Sequence, residues 1–225
     1  MSDNFFLSFA KACYKDRFLF LTVLIVALIV LGPFIEDFIG LKLSMDLFFS
    51  IILITTIYAA SQKRNHIIIA VILVIPALFA LWSKEIAISN THITIGYICG
   101  LILFAFAVIL ILKYIFSHQV VARQTISAAV VVYLLIALMW SFIYRLIEIL
   151  YPASFAIAHG KLLDAENIYL YFSLVTITTL GYGDITPIGS QAISLAVLEA
   201  ITGQIYLVVV VAWFVGMYVS RKSKQ

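Results

Sequence analysis

The residues best suited to chemistry are the run Thr179-Leu180-Gly181-Tyr182-Gly183-Asp184, which follows a short apolar stretch from Asn167 to Thr178. Gly181 and Gly183 can adopt positive φ values closed to other residues. An ordinary strand turns its carbonyls alternately to opposite sides, so glycines at these two positions let a run of carbonyls face one axis. Carbonyls so aimed can replace the water around a dehydrated cation without the cost of burying fixed charge. A glycine turn in an amphipathic re-entrant hairpin would also account for the two glycines, but it leaves Tyr182 and Asp184 without a role. The other reactive residue types form no constellation. His66, His92, His118 and His159 are scattered, with no nucleophile or metal-ligand spacing around them, so enzymatic activity has no support. Cys13 and Cys99 suggest no disulfide framework.

Carbonyls arranged for a bare cation must be held where water is excluded, and the composition points to a bilayer. Of the 225 residues 64% are apolar and 11% charged, with a mean hydropathy of +1.15. Soluble domains lie far from these values. A bilayer core about 30 Å thick takes roughly 20 apolar residues per helix. Six stretches qualify: Phe18 to Ile35, Ser44 to Ala60, His66 to Trp82, Ile93 to Phe116, Gln124 to Tyr144 and Ser190 to Val219. The first begins after seventeen polar-leaning residues and lacks a small-residue cleavage site, so it reads as a retained helix rather than a signal peptide. Asn167 to Thr178 is too short to span and reads as re-entrant. The expected fold is an all-α membrane protein of six transmembrane helices, with a re-entrant helix and loop between the fifth and sixth. Asp164 is the candidate N-cap of that short helix, and Glu166 adds negative charge at the positive end of its dipole.

With both termini cytoplasmic, Lys42, Lys84, Arg145 and Lys161 fall outside and the other ten basic residues fall inside, as the positive-inside rule requires. The basic residues sit in short inter-helix segments, which disfavours a nucleic-acid partner and leaves membrane lipid as the surrounding. The chain divides into a cytoplasmic N-terminus (1–17), a four-helix transmembrane scaffold (18–119), a segment bearing the outer helix, short helix, loop and inner helix (120–220), and a short basic tail (221–225). No cytoplasmic ligand-binding domain is expected after Val219. The glycine signature occurs once, so several copies must assemble around any central axis.

In the run from Tyr171 to Asp184, set between two long helices, the chain resembles the potassium channel pore family. The resemblance covers the last two spans and the loop between them. It implies a selectivity filter at Thr179, Leu180, Gly181, Tyr182 and Gly183. The carbonyls of Thr179 to Tyr182 would bind K+, the Thr179 hydroxyl would lie at the inner end, and the subunits would form a homotetramer. It also implies no cofactor beyond K+ as the permeant ion, and a place in the plasma or inner membrane. Thr176 matches a hydroxyl position that holds the filter tyrosine of a neighbouring subunit. Phe172 and Tyr171 stand where tryptophans are frequent; Phe172 is expected to pack against Tyr182, and the Tyr171 hydroxyl to reach Asp184. Leu180 replaces a more common valine and leaves the carbonyl chemistry intact.

The six-helix layout resembles voltage-gated cation channels without their arginine-rich fourth helix. Lys113 is the only basic residue from Ile93 to Phe116. Membrane voltage acts at about 2.3 kcal/mol per elementary charge per 100 mV, and only on charge that crosses the field. The first four helices are therefore expected to be scaffold. Gly203 matches a hinge position of the family, and two explanations stand for it: bending, or close approach to the short helix. From Gly203 one face continues through Leu207, Val211 and Val215, an apolar stripe that closes a pore by dewetting or simply packs. Glu199 either hydrogen-bonds behind the filter or reaches the cavity. A less selective cation channel, a secondary transporter and a non-conducting partner subunit are the rival functions. Tyr182 argues against the first, and the absence of paired helix interruptions against the second.

Overall fold

The computed structural model describes residues 16–39, 41–60, 64–83, 90–117, 122–157 and 165–222. Asp164 lies outside them, so the expected N-cap does too. Among the described residues the chain is helical apart from one small two-stranded sheet and the loops that flank it. Its elements are α1 (Arg17–Ile39), α2 (Leu41–Ala60), α3 (Arg64–Ser83), α4 (Asn90–Ser117), α5 (Arg123–Leu150), β1 (Phe155–Ile157), α6 (Ala165–Ile177), β2 (Ile185–Pro187) and α7 (Ser190–Lys222). Among the described residues four stretches are long and apolar enough to cross a membrane: Arg64–Trp82, Thr91–Ser117, Arg123–Leu150 and Ser190–Ser220. The apolar stretches described in α1 and α2, Arg17–Leu31 and Phe49–Ala59, are shorter. In lipid a helix satisfies its own backbone, and its hydroxyls can follow suit. Thr22 donates to the Phe18 carbonyl at 2.9 Å and Thr55 to that of Ile51 at 2.7 Å.

Helix α5 is the axis of the molecule. It packs against α1, α4, α6 and α7, and its buried face runs from Thr125 to Tyr144. Close approach on its α4 side depends on Gly100, where a Cβ would stand 2.4 Å from the Phe142 ring. One turn earlier, Gly96 seats α4 on Ala80 of α3 in the same way. Small residues at such a spacing are what let apolar helices pack when lipid offers no hydrophobic drive.

Helix α5 runs to Leu150, past the end expected at Tyr144. Leu146 and Ile149 pack on the core and extend its buried side, so Arg145 belongs to the helix rather than to a loop. The Arg145 guanidinium lies 5.8 Å from the centroid of the Tyr169 ring, a cation–π contact to α6. Glu148 then closes the helix end, its two carboxylate oxygens accepting from the backbone N–H of Ala153 at 2.8 Å and Ser154 at 3.1 Å. That turn places β1 antiparallel to β2, with Phe155 opposite Pro187 and Ile157 opposite Ile185. The Ser154 carbonyl accepts from Ile188 at 2.8 Å and Gly189 at 3.1 Å, tying the end of α5 to the start of α7.

Candidate functional site

The loop from Thr178 to Asp184 leaves the C-terminus of α6 through a tight reversal. The Thr179 N–H donates to the Thr176 carbonyl at 2.9 Å, and the Leu180 N–H to the Val175 carbonyl at 2.9 Å. This pair of bonds is a Schellman motif, which requires a left-handed residue just past the helix. Thr179 fills that position at φ +59°. Sequence reasoning expected positive φ at the glycines and missed this one. A β-branched residue there is strained by about 1–2 kcal/mol, a cost met only where surrounding bonds enforce it. Gly181 and Gly183 follow at φ +57° and +80°. Thr179, Leu180, Gly181, Tyr182 and Gly183 all lie exposed on the single subunit, and Tyr182 is 67% exposed.

The C-terminal end of the loop is held by Asp184. One of its oxygens accepts from the Tyr171 hydroxyl at 2.7 Å, the contact expected from the sequence, and the other from the Ile185 N–H at 3.1 Å. The buried ring of Phe172 meets Tyr144 at 4.9 Å and Phe155 at 5.3 Å between centroids, so within the subunit it anchors α6 to α5 and β1. Thr176 is half-buried.

The N-terminal end is held by Ile177. Its carbonyl accepts from the Tyr133 hydroxyl at 3.0 Å, and Gly203 of α7 approaches so closely that a Cβ would lie 2.7 Å from that same oxygen. Of the two explanations for Gly203, close approach thus has direct contacts, and α7 is assigned as one unbroken helix through it. Tyr206 stacks on Tyr133 with centroids 5.9 Å apart and donates to the Ala129 carbonyl at 2.6 Å. The face of α7 turned inward is therefore Glu199, Gly203, Tyr206 and Val210. Leu207, Val211 and Val215 lie beside it and remain exposed, Val211 by 59%. Trp213 meets Phe116 of α4 edge-on at 5.1 Å.

Glu199 is fully buried, so of the two placements open from the sequence it takes the one behind the loop. It is hydrogen-bonded to Tyr144 of α5 and to Ser173 of α6, the latter at 2.5 Å. Sequence reasoning passed over Tyr133, Tyr144, Glu148, Ser173 and Tyr206. Hydroxyls and one acid in apolar helices were their only signal.

Residues 126–220 match the model of a family described as ion channel. The matched segment runs from α5 through the loop and along α7, fewer than half of the residues of the chain. Comparison with curated proteins and with solved structures found no match. This match, together with the four described helices long and apolar enough to cross a membrane, supports a multi-pass membrane protein, and passive ion conduction is the activity that the matched domain supports.

Proposed function

We propose that the chain is one subunit of a homotetrameric, potassium-selective channel. The observation that carries this reading is the Thr179 to Gly183 loop, with both glycines at positive φ, directly after a 13-residue helix too short to span. In this reading α6 is a re-entrant pore helix. The carbonyls of Thr179, Leu180, Gly181 and Tyr182 bind K+ in place of its hydration shell, with the Thr179 hydroxyl at the inner end and Gly183 completing the filter. The C-terminal end of α6, where the dipole is negative, adds to the attraction for a cation.

Exposure on the single subunit supports assembly. Irregular backbone at membrane depth is tolerated only when buried in protein or lining a wet cavity, and this chain alone covers neither face of the loop. Further copies supply the cover, and Thr176 of a neighbour is then placed to hold Tyr182. α1 and α2 span as well, giving six spans with both termini in the cytoplasm of a plasma or inner membrane. The first four helices act as scaffold, since Lys113 alone on α4 cannot drive steep voltage gating. Purified full-length protein in liposomes should pass K+ and hold back Na+, with little change in open probability across voltage. Equal fluxes of the two ions would remove potassium selectivity from the reading.

The gate in this reading is the stripe Leu207, Val211 and Val215, an apolar constriction that empties of water. Val215→Asn lowers the cost of wetting its inner end, so open probability rises while the K+ over Na+ preference stays as in the wild type. Single-channel recording of the variant checks this. An unchanged open probability would return the stripe to ordinary packing and move the gate to the filter.

A further inference from the structure

Three helices meet at one buried carboxyl. Glu199 lies on α7, and its bonded partners are Tyr144 on α5 and Ser173 on α6. Both partners are hydroxyls, and no positive charge is among them. An ionised carboxylate out of water without a cation partner is costly, so the hydrogens of this cluster decide what it is.

The Ser173 oxygen has two neighbours within bonding distance: the Ala137 carbonyl at 2.8 Å and a Glu199 carboxyl oxygen at 2.5 Å. A serine hydroxyl has one hydrogen, and a carbonyl can only accept. Ser173 therefore donates to Ala137, which leaves its contact with Glu199 in need of a hydrogen from the carboxyl. Tyr144 donates to the other Glu199 oxygen. A protonated carboxyl satisfies all three contacts with one hydrogen each. A carboxylate leaves one O···O contact with none.

We propose that Glu199 is a positioning residue of the pore, held as the neutral acid, which donates to Ser173 and accepts from Tyr144 and so locks the pore helix to the inner and outer helices. It touches no ion. Its effect reaches the filter through α6: Ser173 lies one helical turn before Ile177, the carbonyl that Tyr133 and Gly203 hold. The proposal rests on the channel reading above for what it positions, but the state of the carboxyl can be read without it.

A glutamine side chain has the same shape as a neutral glutamic acid, with an N–H to give Ser173 and a C=O for Tyr144. Glu199→Gln in full-length protein in liposomes should therefore keep the wild-type K+ over Na+ flux ratio. Glu199→Ala leaves the Tyr144 hydrogen without an acceptor and removes the bond that ties Ser173 of α6 to α7, and the ratio should fall about tenfold, the size of effect expected for one buried hydrogen bond lost. Infrared difference spectra of wild type against Glu199→Gln provide the second readout. They should show loss of a protonated carboxyl C=O band. If instead the band lost is that of a carboxylate, or if Glu199→Gln loses the flux ratio as fully as Glu199→Ala, the proposal is overturned. Should Glu199→Ala fail to assemble, the glutamine variant and the spectra still decide. Wild-type protein that passes no ions would defeat the channel reading while leaving the infrared result to judge the neutral acid.

Discussion

Gly181→Ala is expected to abolish selective conduction while leaving the assembled protein intact. Gly181 sits at φ +57°, and nothing in the subunit lies within 4 Å of where a Cβ would stand. The penalty is therefore one of backbone and not of clash, about 1–2 kcal/mol in each copy for holding an L-residue left-handed. A peptide-plane rotation relieves that strain, and in the proposed tetramer the same rotation turns a carbonyl away from the shared axis. Folding contacts on α5, α6 and α7 are untouched, so gel filtration and thermal unfolding should match the wild type. Ion flux should lose its preference for K+ or cease. A variant that conducts with unchanged selectivity would show that the φ of residue 181 does not set the carbonyl directions.

Gly203→Ala has the opposite signature, a packing failure with consequences for the filter. The added Cβ would stand 2.6 Å from a side-chain carbon of Ile177 and 2.7 Å from its carbonyl oxygen. Side chains can yield at such distances, but a backbone carbonyl already bonded to Tyr133 has little freedom. Overpacking of this kind costs about 1–3 kcal/mol. Either α7 moves off α6 or the end of α6 moves, and the second displaces Thr178 and Thr179 directly. The variant should unfold at a measurably lower temperature than the wild type and conduct less. Wild-type thermal stability together with loss of opening would instead make Gly203 a hinge.

These two glycines illustrate what the sequence carried on its surface. Gly181 is legible because it lies in a dense motif between long apolar helices, where composition, spacing and conformational need all agree. At Gly203 the sequence offered bending and close approach on equal terms. Only the position of Ile177, twenty-six residues away in the chain, separates them. The end of α5 was misjudged because the polar Arg145 and Glu148 looked like loop residues. One lies over the Tyr169 ring and the other caps the turn at Ala153 and Ser154, and neither role leaves a periodic trace. The β1–β2 pair was invisible for a related reason, since three-residue strands separated by the whole of α6 carry too little pattern to be read. Thr179 shows a further limit. Its left-handed backbone is imposed by the Schellman bonds at the end of α6 and not by its own preference.

The stripe Leu207, Val211 and Val215 was legible as apolar, but its facing was not. Starting from Gly203 the i+4 direction leads along the stripe, whereas the buried face leads through Tyr206 and Val210. Both directions are apolar in a helix of this composition, so hydropathy cannot choose between them. The hydroxyl of Tyr206, bonded to the Ala129 carbonyl, is what marks the inward side.

The most direct test of the account is the reversal potential of purified full-length protein in a planar bilayer, with K+ and Na+ gradients set in opposition. The reversal potential should lie close to the K+ equilibrium value and move with it as the K+ gradient is changed. A reversal potential near zero, insensitive to which of the two cations is on which side, would contradict it.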